Sequence, residues 1–252
     1  MSTLSRRRLL ALSGGALVFG AHGAQAQNYP ERQIRYVVPY PPGGFNDTLG
    51  RIIVQKLQEA WGQAAIVDNR PGGGTLIGTD AVAKSAPDEH TLLGIAFPFG
   101  AIPSLYRNIP YDSVKDFTPV MYAGESANLL VVKPSLPVKS VQELIAAAKA
   151  NPGKLTYGST GTGSSNHLSM ELFKSMAKVD ITHVPYKGSA PMTTDLLGGH
   201  SDVAFDNTPN VLPHVKAGTM RAIGVSSPAR SPLAPDVPTV SEAGVPGYEV
   251  GV

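Results

Sequence analysis

The chain contains no cysteine. That absence excludes disulfide scaffolds, cysteine-ligated zinc and iron–sulfur centres, and thiol nucleophiles. Charge is scarce as well. Asp, Glu, Lys and Arg make up 16% of the 252 residues, and 21 basic residues face 19 acidic ones. Arg6, Arg7 and Arg8 account for three of the basic residues, and the first 26 residues hold no acid, so the rest of the chain carries 18 against 19. A body this close to neutral lacks the cation density that a phosphate backbone demands, so no nucleic-acid partner is expected. No run after residue 26 reaches the roughly 18 apolar residues of a spanning helix, so the mature chain is not expected to be membrane-embedded. What is present is a 42% hydrophobic content, enough for a core, with 27 glycines and 22 prolines.

Residues 1–26 read as an export signal. A basic start precedes an apolar stretch at 9–21, and Ala24-Gln25-Ala26 places small residues where a signal peptidase reads them. Cleavage is expected after Ala26. Ser5-Arg6-Arg7-Arg8-Leu9-Leu10 resembles the twin-arginine pattern. Ordinary secretory signals also carry paired arginines, so both routes stay open.

The mature chain alternates short apolar runs with amphipathic stretches. Strands are predicted at 33–38, 64–69 and 91–96, with helices at 47–61 and 75–84 between them. The order restarts near 121–127. Strands follow at 127–133, 155–158, 181–184, 203–206 and 220–226, and helices at 140–150, 166–176 and 190–198. In the 166–176 helix, Leu168, Leu172, Phe173 and Met176 form the expected inward face. This alternation is the pattern of parallel α/β sheets, and its restart favours two lobes.

Three glycine-rich loops lie between a predicted strand and a helix: PYPPGGFND (39–47), RPGGGTLIG (70–78) and GSTGTGSSNH (158–167). Ligands of open α/β sheets bind beyond such strand ends. Glycine lets backbone N–H groups approach an anion, and a helix N-terminus adds unpaired donors and partial positive charge. The hydroxyls of Ser159, Thr160, Thr162, Ser164 and Ser165 add further donors. Ordinary turns and helix caps would look the same. Nucleotide fingerprints fail: Ile77 and Asn166 stand where a third glycine is needed, and Thr79 stands where a P-loop needs lysine. No G-x-S-x-G elbow or HExxH spacing exists, so neither an enzyme nor a metal site is expected, and no cofactor. His167 either faces a ligand or caps its helix. Asp206, at a strand end, either meets an ammonium or hydroxyl group or caps the turn that follows.

The ordered set IRYVVPYPPGGFND, VDNRPGGGTLIG, PYDSVKDFTPV, YGSTGTGSSNHLSMELF, VPYKGSAPMTTDLLGGHSDVAFD and PTVSEAGVPGYEV resembles the Bug/TctC family. These are extracytoplasmic receptors of tripartite tricarboxylate transporters. The resemblance implies a type II periplasmic-binding-protein-like α/β fold, two α/β domains with a ligand cleft between them. By that pattern the first domain spans 27–122 and 222–252, and the second 123–221. It implies a periplasmic protein that holds a small organic acid and meets membrane transporter subunits. The implied ligand contacts are Tyr40, Gly43, Gly44, Phe45, Asp47 and Thr75, with Leu76 a further candidate, then Ser159, Thr160, Gly161, Gly163, Ser164, His167 and Asp206. Phe97-Pro98-Phe99 replaces residues that are often polar in the family, which points to a more apolar acid. A receptor that presents its ligand to a signalling partner uses the same residues. Family members also continue beyond PGYEV. A first domain incomplete at its C-terminus, and hence a marginally stable or non-functional truncated paralogue, is therefore a further expectation.

Overall fold

A computed structural model of the chain describes residues 29–251. The export signal expected at 1–26 lies outside the described residues. The chain divides into Met1–Glu31 and a second unit that begins at Arg32. Everything below concerns the second unit, which holds two sheets.

The smaller sheet contains β1 (Ile34–Val38), β2 (Ala65–Asn69) and β3 (Thr91–Leu93) in the order β2-β1-β3, all parallel. Helix α1 (Phe45–Trp61) follows β1, α2 (Leu76–Ala83) follows β2, and α3 (Pro98–Leu105) follows β3. Ile34 and Ala65 pack with Val54 of α1 to form a small core.

The larger sheet has the order β6-β5-β7-β4-β8, built from β4 (Asn128–Val132), β5 (Thr156–Ser159), β6 (Thr182–Pro185), β7 (Val203–Asn207) and β8 (Arg221–Val225). Its helices are α4 (Val141–Ala150), α5 (Ser165–Ala177), α6 (Ser189–Leu197) and α7 (Thr208–Lys216). All five residues of β4 are buried. A strand covered on both faces reads as a continuous apolar run, which is what Asn-Leu-Leu-Val-Val provides. Strand alternation divides it. Leu130 and Val132 face Leu144 of α4, Phe173 of α5 and the C-terminal segment, whereas Leu129 and Val131 face Met192 and Leu196 of α6 and Val211 of α7.

Four features differ from the sequence-based expectation. The larger sheet is mixed, because β4 runs antiparallel to β7 and β8. A fully buried strand shows the same apolar run whichever way it points, so its direction is not written in its composition. The 222–252 segment, expected with the first lobe, joins the larger sheet instead. Strand β8 pairs with β4, and Val240, Val245, Tyr248 and Val250 lie in the core over Leu130 and Phe205. Helices α3 and α7 were not expected, because each contains an internal proline, Pro103 or Pro213. Each proline sits in the last turns of a short helix, where one hydrogen bond is lost and the chain is about to leave the helix anyway. Finally, Leu172 is exposed and lines a surface hollow with Phe97, Leu168 and Val250, while Met170 takes the inward place beside Phe173.

The docked C-terminal segment is held by specific contacts. Tyr248 stacks on Phe205 at 5.8 Å, and its hydroxyl donates to the Ser169 carbonyl at 2.9 Å. The Ser226 hydroxyl donates to the Val250 carbonyl at 2.9 Å and accepts the Asn128 N–H at 3.0 Å. Tyr248→Ala should lower unfolding stability by about 3–5 kcal/mol in urea titrations, the range for emptying a buried aromatic site. Tyr248→Phe should cost about 1 kcal/mol. Equal midpoints for the alanine variant and the parent would mean the segment is not part of the folded core.

Candidate functional site

The loop after β1 is shaped from within. Asp47, in the first turn of α1, is buried and accepts the Gly43 N–H at 2.9 Å, Arg51 Nε at 3.0 Å and Asn69 Nδ2 at 3.0 Å. Asn69 Nδ2 also donates to the Tyr40 carbonyl at 3.1 Å. Burial pushes the Asp47 carboxyl up, and these hydrogen bonds outweigh it and hold the group below its usual value. Asp47 was expected to contact ligand. Within the protein its oxygens receive these three donors, one of them from Gly43 in its turn at φ +85°. Tyr40 is half-buried, and burial drives its hydroxyl pKa far up, so it stays protonated. Gly44 precedes α1 without a side-chain cap. The N–H groups of Gly44, Phe45 and Asn46 accordingly have no acceptor among the described residues.

Thr75 is buried at the entry to α2 with φ +85°, and no side chain caps that helix either. A β-branched residue in the left-handed region is uncommon and strained, so surrounding contacts must impose it. Leu76 opens α2 and is half-buried.

The loop after β5 follows the same logic in more detail. Gly161 (φ +125°) donates its N–H to Ser159 Oγ at 3.2 Å, and Gly163 (φ +83°) donates to His167 Nδ1 at 3.2 Å. Ser159 Oγ lies 2.6 Å from His183 Nε2. Thr160 Oγ1 donates to Asn166 Oδ1 at 2.6 Å. Ser164 caps α5 by accepting the His167 N–H at 3.3 Å, so the Ser164 O–H itself remains available. The expected donors therefore divide. Ser159, Thr160, Gly161 and Gly163 turn theirs inward. The N–H groups of Thr162, Ser165 and Asn166 have no acceptor among the described residues. The His167 ring accepts the Gly163 N–H, and the side chain that caps the helix is that of Ser164. Ser159 and His183 have the spacing of a nucleophile and base, but Ser159 is fully buried, and no carboxylate bonds the other ring nitrogen of His183 among the described residues.

Asp206 is fully buried at the end of β7. It accepts Ser189 Oγ, the Asn207 N–H at 2.8 Å, Asn166 Nδ2 at 3.2 Å and Asn210 Nδ2 at 3.3 Å. Burial raises its pKa, and the four donors oppose that rise. Where an ammonium or hydroxyl of a ligand was expected, the described residues form an internal network around the carboxylate. The turn-cap alternative accounts for the Asn207 bond alone. Composition-based reading missed Asn69, Asn166, His183, Ser189 and Asn210. Their positions beside the glycine loops were the available signal.

The two lobes touch at glycines. A side chain on Gly163 would stand 2.7 Å from Leu105 Cδ1 at the end of α3, and one on Gly188 would stand 3.0 Å from Pro41 Cγ. The loop after β5 thus meets α3, and the loop after β6 meets the loop after β1, while the positive φ of Gly163 and Gly188 disfavours any side chain there.

Replacing Asp206 by Asn introduces a donor where four donors already converge. Asp206→Asn should lower unfolding stability by about 1–3 kcal/mol, measured by chemical denaturation. A variant as stable as the parent would show that the network carries no net energy.

Comparisons with known proteins agree with this geometry. The family model described as tripartite tricarboxylate transporter family receptor matches residues 49–252. Protein BugT of Bordetella pertussis is 40% identical over 249 residues, 97% of this chain and 76% of that protein. Among solved structures, an R. palustris protein with adipate is 43% identical with a TM-score of 0.83, covering 88% of this chain and 75% of the other. MatC from Rhodopseudomonas palustris, with bound malate, is 34% identical with a TM-score of 0.83, covering 88% and 76%. The periplasmic binding protein BugD is 33% identical with a TM-score of 0.81, covering 88% and 75%. The fold is that of the Bug/TctC periplasmic binding proteins, and the chain belongs to the tripartite tricarboxylate transporter receptor family.

Proposed function

We propose that this chain captures a small organic carboxylate outside the cytoplasm and delivers it to a tripartite tricarboxylate-type membrane transporter. The observation that carries the reading is the pair of uncovered donor sets. Gly44, Phe45 and Asn46 open α1, while Thr162, Ser165 and Asn166 stand at the start of α5. Both sit at helix N-termini, where the backbone dipoles favour negative charge, and neither relies on lysine or arginine. The relatives with adipate and malate support a dicarboxylate, one acid group for each lobe. Tyr40 and the free O–H of Ser164 are the side-chain donors best suited to orient it. Asp47, Asp206 and His167 shape the cradle without touching the ligand.

Calorimetry with adipate, malate and a monocarboxylate tests the class. Dicarboxylates should bind more tightly than the monocarboxylate, and Gly163→Ala should weaken binding at least tenfold by forcing Leu105 away. Equal affinity for a neutral diamide would sink the carboxylate reading.

Export follows from the Arg6–Arg8 cluster and Ala24-Gln25-Ala26. Mass spectrometry of the periplasmic fraction should find Gln27 as the first residue. Protein retaining Met1, found in the cytoplasm alone, would refute export.

A further inference from the structure

Behind the β5–α5 loop lies a stack of aromatic rings that the capture chemistry above does not use. The His167 ring of α5 and the His183 ring of β6 lie 4.4 Å apart, and His183 stacks on Tyr157 of β5 at 4.8 Å and 19°. Each imidazole meets a donor of the loop. His167 Nδ1 accepts the Gly163 N–H, which requires a lone pair at that nitrogen. Ser159 Oγ accepts the Gly161 N–H and lies 2.6 Å from His183 Nε2, a bond in which the hydroxyl can either donate or accept. The Gly163 bond assigns the His167 tautomer: its Nδ1 carries a lone pair directed at the loop, and the ring is neutral.

We propose that His167 is a positioning residue for anion capture, holding the loop in its binding shape only while its ring is neutral. The inference rests on the carboxylate-receptor reading above. A proton on His167 Nδ1 sets donor against donor. The Gly163 N–H must then turn away, and with it the segment that presents Thr162 and Ser165. Because Leu105 of the other lobe rests against Gly163, the same movement disturbs the contact between lobes. Protonation thus links loop shape to ligand release.

The groups facing the pair are Glu171 and Lys174 on α5 and Tyr157 on β5. Tyr157 donates to Glu171 Oε1 at 2.6 Å, and Lys174 Nζ bonds the same oxygen at 2.7 Å and lies 5.4 Å from the Tyr157 ring centroid. Burial lowers the His167 pKa, Glu171 opposes that and Lys174 adds to it. Burial likewise lowers that of His183, reinforced by a charge on His167, opposed by Glu171 and reinforced by Lys174. For a base whose folded pKa is depressed, the neutral-ring geometry is fully stabilising above the ordinary value of about 6.5. It is lost as pH falls through the lower folded value.

Two measurements test this. In the ligand-free protein, NMR from pH 8 to 5 should show the His167 ring and the Gly163 amide shifting with one midpoint below the ordinary histidine value. By calorimetry, adipate affinity should hold near pH 7.5 and fall as pH drops through that midpoint, approaching tenfold per pH unit below it for the one proton taken up. Aliphatic carboxyls, near about 4.3, stay largely ionised down to pH 5. His167→Asn places an amide oxygen where Nδ1 stands. This variant should bind adipate more weakly than the parent at pH 7.5 but hold that affinity to pH 5. A variant with the parent's pH slope, or a Gly163 amide that stays still while His167 titrates, overturns the proposal. If adipate fails to bind at pH 7.5 while Gly163 still follows His167, the ligand class is wrong and the histidine role stands.

Discussion

A carboxylate buried at a strand end cannot be left unpartnered, and Asp206 organises the larger lobe around that constraint. Its donors come from the first turns of three different helices: Asn166 near the start of α5, Ser189 at the start of α6 and Asn210 near the start of α7. To satisfy one buried group, three helix N-termini must converge on the end of β7. Each brings partial positive charge and unpaired N–H groups. On the proposed reading, the place that receives an external anion is fixed by an internal one. The same geometry would let so neutral a chain take up acids, with the positive potential coming from peptide dipoles rather than side-chain charge.

The smaller lobe repeats the device with Asp47. This buried carboxylate gathers Gly43, Arg51 and Asn69, and so ties the β1–α1 loop to the end of β2. In both lobes a buried aspartate gathers donors of the chain beside a glycine loop. On the proposed reading this has an electrostatic sense. A carboxylate in direct contact with an acid ligand would repel it, whereas one whose charge is met by amides and a guanidinium orders the loop at less cost.

Much of this was legible in the sequence, and the illegible part has a physical cause. The run Asn-Leu-Leu-Val-Val announced a strand, and the glycine-rich segments announced the strand-to-helix turns after β1, β2 and β5. The direction of β4 was hidden, because burial on both faces leaves no polarity to read. Helices α3 and α7 were hidden by Pro103 and Pro213. The internal partners of Asp47, Asp206 and His167 were hidden for a common reason. A polar residue beside a glycine loop shows its chemistry in the sequence but not its partner, and several partners are distant. Asn166 and Asp206 are 40 residues apart, and Ser159 and His183 are 24 apart. Chemistry named the residues that can hydrogen-bond, and only the fold decided with whom.

Holding an anion with neutral donors also sets how it is let go. An arginine clamp keeps its charge at every accessible pH, so release from it needs a large movement of the clamp. A backbone cradle is effective only while its N–H groups point the right way, and their aim depends on the side chains behind them. Here those side chains include the His167 imidazole, whose Nδ1 accepts the Gly163 N–H, and Gly163 lies against Leu105 of the other lobe. On the proposed reading, whatever moves this loop, whether a proton or a partner surface, bears on the donors and on the lobe–lobe contact together.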